Sequence, residues 1–446
     1  MVSIYKPAKK PKKQPSAKTV TIESMDMNGQ GFCGQGASKQ GSPVLFVDGA
    51  LPGETVEVAV IQSQKRFSRG RVRKVLQASA ERCEPFCPLI NTCGGCQLQH
   101  VDADAALNMR QQAMDSYWQK QLNVADIPWQ PAITGERRGY RRKARLAVDA
   151  RNDDKFIMGF RQEQGKNIVN VDHCPVLRDD LSALITPLKS VFAGLPGRRH
   201  IGHVTLTGGD NVNAVSVRMV KPANSAFKKA LTAFAEQNQI NVSIDGPDQH
   251  QRLYEVAPLV CHTEDDLVLT PSDDDFIQVN GEVNRKMVAQ AMQWLNPQAG
   301  ERIADWFSGL GNFSLSLATR GAQVQAVEGV AEMVQRAREN ASKQGVNDID
   351  WLHLDLSDEK AVQTALAAGF DKVLIDPSRE GAYAVCEALS QSGIKSILYV
   401  SCNPSTLTRD VQCLLSAGYA IEQVGLIEMF PYTRHLEVMM LLTDNQ

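Results

Sequence analysis

The second half of the chain alternates short apolar strands with helical stretches, and few folds accept that pattern. Arg302–Trp306, Gln323–Glu328, Asp350–Leu354, Lys372–Ile375, Ile397–Ser401 and Ala420–Ile427 read as strands. Asn312–Thr319, Val330–Gln344 and Thr406–Ala417 read as helices between them. A βαβ rhythm of this kind predicts an α/β fold with a parallel sheet covered by helices, Rossmann-like in plan. Such sheets bind ligands outside the carboxyl ends of their strands, so the residues at those ends come first.

The first strand runs into Asp305-Trp306-Phe307-Ser308-Gly309-Leu310-Gly311-Asn312-Phe313. Gly309 and Gly311 allow a tight turn and a close backbone approach to a ligand. Glu328 ends the second strand, at the spacing where an acid accepts hydrogen bonds from ribose hydroxyls. Asp355 ends the third strand and Asp376 the fourth. Three acids there suit a ribose, an adenine amino group and a cationic moiety. A dinucleotide dehydrogenase normally carries a third glycine near residue 314, where this chain has Ser314. The loss disfavours a pyrophosphate seat. S-adenosylmethionine has no pyrophosphate, so a methyltransferase is favoured.

Ser401-Cys402-Asn403-Pro404 follows the apolar strand Ile397–Val400. Cys402 is thereby expected at the sheet edge just before a helix, where a thiol is expected to ionise more easily. Pro431-Tyr432-Thr433-Arg434-His435-Leu436-Glu437 precedes the apolar run Val438–Leu442. Taken singly, Cys402 reads as a buried thiol and Glu437 as a surface carboxylate. Together, beside a nucleotide-type sheet, they form the pair that methylation of uracil carbon 5 requires. A thiolate adds to carbon 6 and makes carbon 5 nucleophilic. A base then removes the carbon-5 proton.

Ten cysteines occur in the chain, and Cys83, Cys87, Cys93 and Cys96 crowd into one short stretch. Cys87-x5-Cys93-x2-Cys96 with the distant Cys174 gives four thiolates, and Cys83 lies outside that spacing. The pair Gly94-Gly95 leaves room for a bulky group and free amides for its sulfurs. By count and spacing, zinc and an iron–sulfur cluster fit equally.

At 446 residues the chain exceeds what one hydrophobic core usually serves. Short strands with glycine-rich turns from about Ala17 to Leu76, among them Thr19–Ile22, Pro43–Val47, Thr55–Ile61 and Gly70–Leu76, predict a small β-barrel. The net charge of −2 says little about partners, but its distribution does. Residues 1–80 hold 13 Lys and Arg against 5 Asp and Glu, whereas residues 281–446 hold 13 against 20. A basic front and an acidic back divide polyanion binding from another task. The run Lys65–Lys74, with Phe67 inside it, suits RNA phosphates and a stacked base, or else a solvated edge strand. Arg137–Arg145, with Tyr140 inside it, is the densest cationic run and a second candidate for RNA contact. Residues 1–16 read as a disordered basic tail without a secretory h-region, and no apolar run approaches membrane-helix length. A cytoplasmic, monomeric protein is expected.

These motifs together resemble the uracil-C5 RNA methyltransferase family, over nearly the whole chain. Phe276-Ile277-Gln278-Val279-Asn280, Asp305–Phe313, Asp376-Pro377-Ser378-Arg379, Ser401–Pro404 and Pro431–Glu437 carry the likeness. The resemblance implies a class I methyltransferase domain at 271–446, a TRAM-type, OB-like barrel at 17–77 and a central α+β iron–sulfur domain at 78–270. The helix near 102–122 is a candidate to pack on the catalytic domain. The family pattern implies that Gln278, Phe307, Asn312, Glu328, Asp355 and Asp376 line the S-adenosylmethionine site. It implies Cys402 as nucleophile, Glu437 as base, and Cys87, Cys93, Cys96 and Cys174 as ligands of a [4Fe-4S] cluster. Barrel plus cluster is most similar to the branch that acts on 23S ribosomal RNA; members acting on other uracils usually lack one or both. A non-catalytic RNA-binding protein is the rival reading, and the intact Cys402 and Glu437 weigh against it. Ser378 and Arg434 depart from the family pattern, which often has Pro or a small residue and Gly there.

Overall fold

The computed structural model describes residues 17–34, 44–152, 155–247 and 249–444, and the expected N-terminal tail lies outside them. The chain divides into two compact units. The described residues up to Glu84 and Leu98–Met114 form one; Pro85–Gln97 and the residues from Asp115 onward form the other. Most of the segment read as the central domain shares the second unit with the segment read as catalytic, while residues 78–84 and Leu98–Met114 fall in the first.

The first unit is built on a six-stranded sheet. Its order is Ala17–Thr21, Thr55–Ser63, Phe67–Gln77, Val44–Asp48, Gly31–Cys33 and Ser24–Met25. The two outer strands are successive pieces of one bent stretch, so the sheet curls on itself. Period-two alternation sends Val20, Leu45, Val47, Val56 and Val58 into one core. Ser24–Met25 and Gly31–Cys33 are too short to stand out in the sequence.

The second unit holds two seven-stranded sheets. The central one runs His250–Tyr254, Asn241–Asp245, Asn213–Met219, Ile201–Gly208, Lys143–Asn152, Lys155–Arg161 and Ile168–Asn170. Helices Ile185–Ala193 and Ser225–Asn238 bury Leu188, Phe192, Phe227 and Leu231 against it.

The other sheet follows the order Ile349–His353, Gln323–Glu328, Arg302–Trp306, Lys372–Ile375, Ser396–Ser401, Glu437–Asp444 and Tyr419–Ile427. Strand order reverses between Arg302–Trp306 and Lys372–Ile375, which opens a crevice at their carboxyl ends. The sheet is not wholly parallel. Glu437–Asp444 runs antiparallel to both neighbours. The connection from Ile427 to Glu437 spans only residues 428–436. That is shorter than the dozen or so residues a parallel crossover needs, so the chain turns back as a hairpin.

Helix Gly281–Leu295 covers this sheet and has no counterpart in the sequence reading. Asn280 caps it by accepting from the Val283 N–H at 3.2 Å. Val283, Met287, Val288, Ala291 and Met292 recur at helical spacing and bury against Leu374, Leu398 and Met439. The far end of helix Ala103–Gln121 is tied to the catalytic segment. The Trp118 indole N–H donates to Thr408 Oγ1 at 2.8 Å and the ring stacks on Trp129. No helix among the described residues is long and apolar enough to cross a membrane.

Candidate active site

The crevice at the switch point deepens into a cavity of about 480 Å³. Gln278, Phe307, Asn312, Glu328, Asp376, Cys402 and Glu437 all line it. Twelve of the chain's elements lie between the first and last of these residues, so the sheet, not local sequence, brings them together.

The turn after Trp306 forms one wall. Phe307 adopts φ +66°, a region non-glycine residues seldom enter and one that clusters at ligand sites. Gly311 has φ +91°, and a Cβ there would sit 2.8 Å from the Trp351 ring. No other residue fits. Glu328 fastens the turn: its carboxylate accepts from Gly309 N and Val330 N, each at 3.0 Å. Asn312, expected at the cofactor, lines the same wall and is held there. Its amide exchanges hydrogen bonds with Asn284 in both directions at 2.9 Å and accepts from Thr263 Oγ1 at 3.1 Å. It braces the wall with groups that are already satisfied.

Asp355 does not reach the cavity. It is exposed, and its carboxylate accepts from the Ser357 N–H at 3.0 Å and hydroxyl at 2.7 Å. An Asx turn beyond the strand end directs the side chain to its own backbone.

The reacting pair is set by the hairpin. Ser401 pairs with Val438 across the sheet. The ladder stops at that pair, with Cys402 and Glu437 flanking it. Both then face the same cavity. Burial raises Glu437 to about 8, with help from the Asp376 carboxyl, while Arg379 pulls it down. Burial and neighbouring Asp305 push Asp376 up to about 7. Burial likewise lifts Asp305 to about 7 against the hydrogen bonds from Ser314. The Cys402 thiol is raised to about 11 by burial, then by Glu437 and Asp376, with Arg379 opposing. The expected helix-lowered thiolate is therefore not found. Two acids beside a desolvated sulfur outweigh the helix that starts after Asn403.

Several cavity residues escaped the sequence reading. Arg142, Asn284, Arg379 and His435 line it, as does the exposed ring of Phe276. The Phe276 and Arg379 segments were visible as motifs without a role for these side chains. Gln278 Oε1 and Ser308 Oγ are buried on the cavity wall without a protein partner. A ligand with donors and acceptors satisfies such atoms. The cavity size is ordinary for a cofactor site, so these residues fit S-adenosylmethionine.

The cysteines also converge. Cys93 and Cys174 are each raised by burial and by the thiol of Cys87. Cys96 and Cys174 both act on Tyr140. Among the described residues, only Asp245, His250 and Asp274 form a group of three or more ligating side chains with all ligand atoms within 4.8 Å of one another. Cys83 falls in the other unit and is exposed.

The cationic run at 137–145 is largely engaged internally. Arg137 pairs with Glu428 at 2.7 Å and Arg142 with Asp210 at 3.0 Å. Arg138 lies over the Phe86 ring, and Lys143 Nζ donates to the Asp275 carbonyl at 2.7 Å. Arg145 remains exposed.

Fold and cavity define a class I methyltransferase. The profile of the tRNA (Uracil-5-)-methyltransferase family matches residues 104–445, and the chain belongs to that family. A protein of Alteromonas naphthalenivorans named 23S rRNA (uracil(1939)-C(5))-methyltransferase RlmD is 51% identical over 96% of this chain and 89% of its own. A Vibrio vulnificus protein of the same name is 39% identical over 99% of each. Among solved structures, Pyrococcus abyssi tRNA (uracil-54, C5)-methyltransferase with S-adenosyl-L-homocysteine superposes at a TM-score of 0.72. It is 22% identical and covers 96% of this chain and 100% of its own, a likeness of fold.

Proposed function

We infer that this chain methylates carbon 5 of a uracil in 23S ribosomal RNA, at the position numbered 1939 in its relatives, using S-adenosylmethionine. The observation that carries the reading is the register that sets Cys402 against Glu437 over one cavity. The relatives named for this reaction match nearly end to end. Gln278, Ser308, Phe307, Glu328 and Asp376 hold the donor, while Asn312 acts through Asn284 and Thr263.

S-adenosylmethionine, when bound, supplies an electrophilic methyl group and a positive charge beside these acids. The target uracil leaves its stack to enter the cavity. The Cys402 sulfur, once deprotonated, bonds to uracil carbon 6, and the electron pair moves to make carbon 5 nucleophilic. Carbon 5 takes the methyl group. Glu437 removes the carbon-5 proton, the carbon 6–sulfur bond breaks, and Cys402 recovers its electron pair. Arg379 favours the ionised forms of both groups.

Cys87, Cys93, Cys96 and Cys174 would hold a [4Fe-4S] cluster, which ties their two segments together. The nearness of Cys87, Cys93 and Cys174 in the fold and the glycines between Cys93 and Cys96 support a bulky group. The curled sheet at 17–77 acts as a TRAM-type RNA contact. Arg66, Arg69, Arg73 and Lys74 are exposed on it, and Phe32, Phe46 and Phe67 form a stripe of edge-to-face rings. Work on ribosomal RNA supports a cytoplasmic location.

Trapping tests the mechanism. A 23S fragment with 5-fluorouracil at the target should form a covalent band with the enzyme that survives a denaturing gel. Fluorine cannot leave as a cation, so elimination stalls. Cys402→Ala should form none and methylate nothing. Methylation by Cys402→Ala, or no band with a fluorinated RNA that binds, overturns the covalent route.

A further inference from the structure

The cysteine loop touches the segment that delivers Glu437. The Gln97 N–H donates to the Tyr432 carbonyl at 2.8 Å. Its side-chain oxygen accepts from Arg434 N at 3.4 Å, and its amide nitrogen donates to the Gly94 carbonyl at 2.8 Å. Phe86, next to Cys87, meets the Tyr432 ring edge-to-face at 5.0 Å. The loop is anchored on its other side. Gly94 N donates to the Arg161 carbonyl at 3.0 Å, and Cys93 bridges Gln162. From that anchor Glu163 accepts from the Arg434 guanidinium at 2.9 Å.

The held segment has backbone features that need holding. Tyr432 adopts φ +63°, unfavourable for an aromatic residue. Thr433 closes a turn by donating to the Phe430 carbonyl from its N–H at 3.2 Å and its hydroxyl at 2.9 Å. Glu437 follows that turn as the first residue of its strand.

We propose that the cysteine loop positions the proton-removing group: Gln97, Arg434 and Glu163 lock residues 430–435 so that Glu437 meets the methylated uracil. The proposal rests on Glu437 being the base. These three are positioning residues; none touches the reacting atoms. Displacement of the segment leaves Cys402 in place, so addition and methyl transfer continue while elimination slows.

The test uses the full-length protein and an unmodified 23S fragment. Turnover, KM for RNA, covalent adduct on denaturing gels and iron per chain are measured together. Gln97→Met, Arg434→Glu and Glu163→Arg should each lower turnover about ten- to a hundredfold, the scale of an ångström-sized misplacement. Each should accumulate adduct, with KM and iron content near those of the unaltered enzyme. The Arg434→Glu/Glu163→Arg double variant should regain most turnover and lose the adduct, which a general loss of folding cannot do. Turnover at the unaltered rate in the single variants, loss of turnover without adduct, or no recovery in the double variant overturns the proposal. Glu437→Gln is run alongside. If it accumulates adduct while the loop variants turn over normally, only the coupling falls. If it accumulates none, the base assignment falls and the coupling with it.

Discussion

Arg379 stands 3.2 Å from His435 Nε2, and its carbonyl is gripped by the Asn403 amide at 2.9 Å. One residue thus spans the loop that carries Cys402 and the segment that leads to Glu437. Its charge favours ionisation of both groups.

The pH dependence of adduct formation should reveal that charge. Cys402 sits at about 11, so single-turnover adduct formation should rise with pH from neutrality upward, whereas Glu437, at about 8, governs the later elimination. Removing a positive neighbour raises both values. Arg379→Gln should therefore move the ascending limb to higher pH. An unmoved limb, measured by quench-flow across pH 6 to 10, would show that Arg379 only shapes the site.

The buried acids make a stability prediction. Asp305 and Asp376 keep their protons in the folded state up to about 7, whereas the unfolded chain loses them near 3.8. The stability they contribute is complete below the unfolded value and lost as pH rises through the folded one. Thermal midpoints of the ligand-free enzyme should fall between pH 5 and pH 8. Asp376→Asn should flatten that fall and weaken S-adenosylmethionine binding. A fall of the same steepness in the variant would place its origin elsewhere.

The reciprocal amide pair predicts an indirect binding defect. Asn284→Ala leaves the Asn312 amide N–H unmet and its oxygen held by Thr263 alone, a cost of about 1–3 kcal/mol where the group is buried. Calorimetry should show S-adenosylmethionine affinity reduced about tenfold or more, with RNA affinity little changed. Unaltered cofactor affinity would mean that the wall holds without the pair.

Metal analysis tests the cysteines. Anaerobically purified protein should be brown and carry about four iron and about four sulfide per chain. Cys93→Ser or Cys174→Ser should lose both, whereas Cys83→Ser should lose neither. Stoichiometric zinc without sulfide would replace the cluster assignment.

The first unit should show its role in the salt dependence of RNA binding. Replacing the exposed Arg69, Arg73 and Lys74 by Ala should weaken binding and reduce the slope of log K against log salt by about two, at about 0.7 per phosphate contact on single strands. An unchanged slope would assign the curled sheet another task.

Much of this was legible because strands declare themselves by apolar runs and ligands gather at their ends. Six strands of the catalytic sheet fell within a residue or so of their observed limits. The seventh, a plain apolar run, gave no sign of direction; only the length of the connection before it does. Helix Gly281–Leu295 carried a readable cap and spacing, at Asn280 and from Val283 to Met292, that went unused. Asp355 was legible as the residue that ends a strand, but the Asx turn that sets its direction was not. The run at 137–145 misled because charge was counted locally. Its partners Asp210 and Glu428 lie 68 and 291 positions from Arg142 and Arg137, distances only folding closes. Arg379 and His435 lay in the motifs Asp376–Arg379 and Pro431–Glu437, whose meeting over one cavity only folding produces.

The strand Glu437–Asp444 is the last of the sheet to be synthesised, yet it lies inside the sheet, between Ser396–Ser401 and Tyr419–Ile427. A growing chain can therefore assemble the nucleotide-binding half early while Ser396–Ser401 keeps one bare edge. Until the final strand slides in, Ser401 beside Cys402 has no partner across the ladder. A chain that lacked this one strand would keep most of the cofactor wall and be without Glu437.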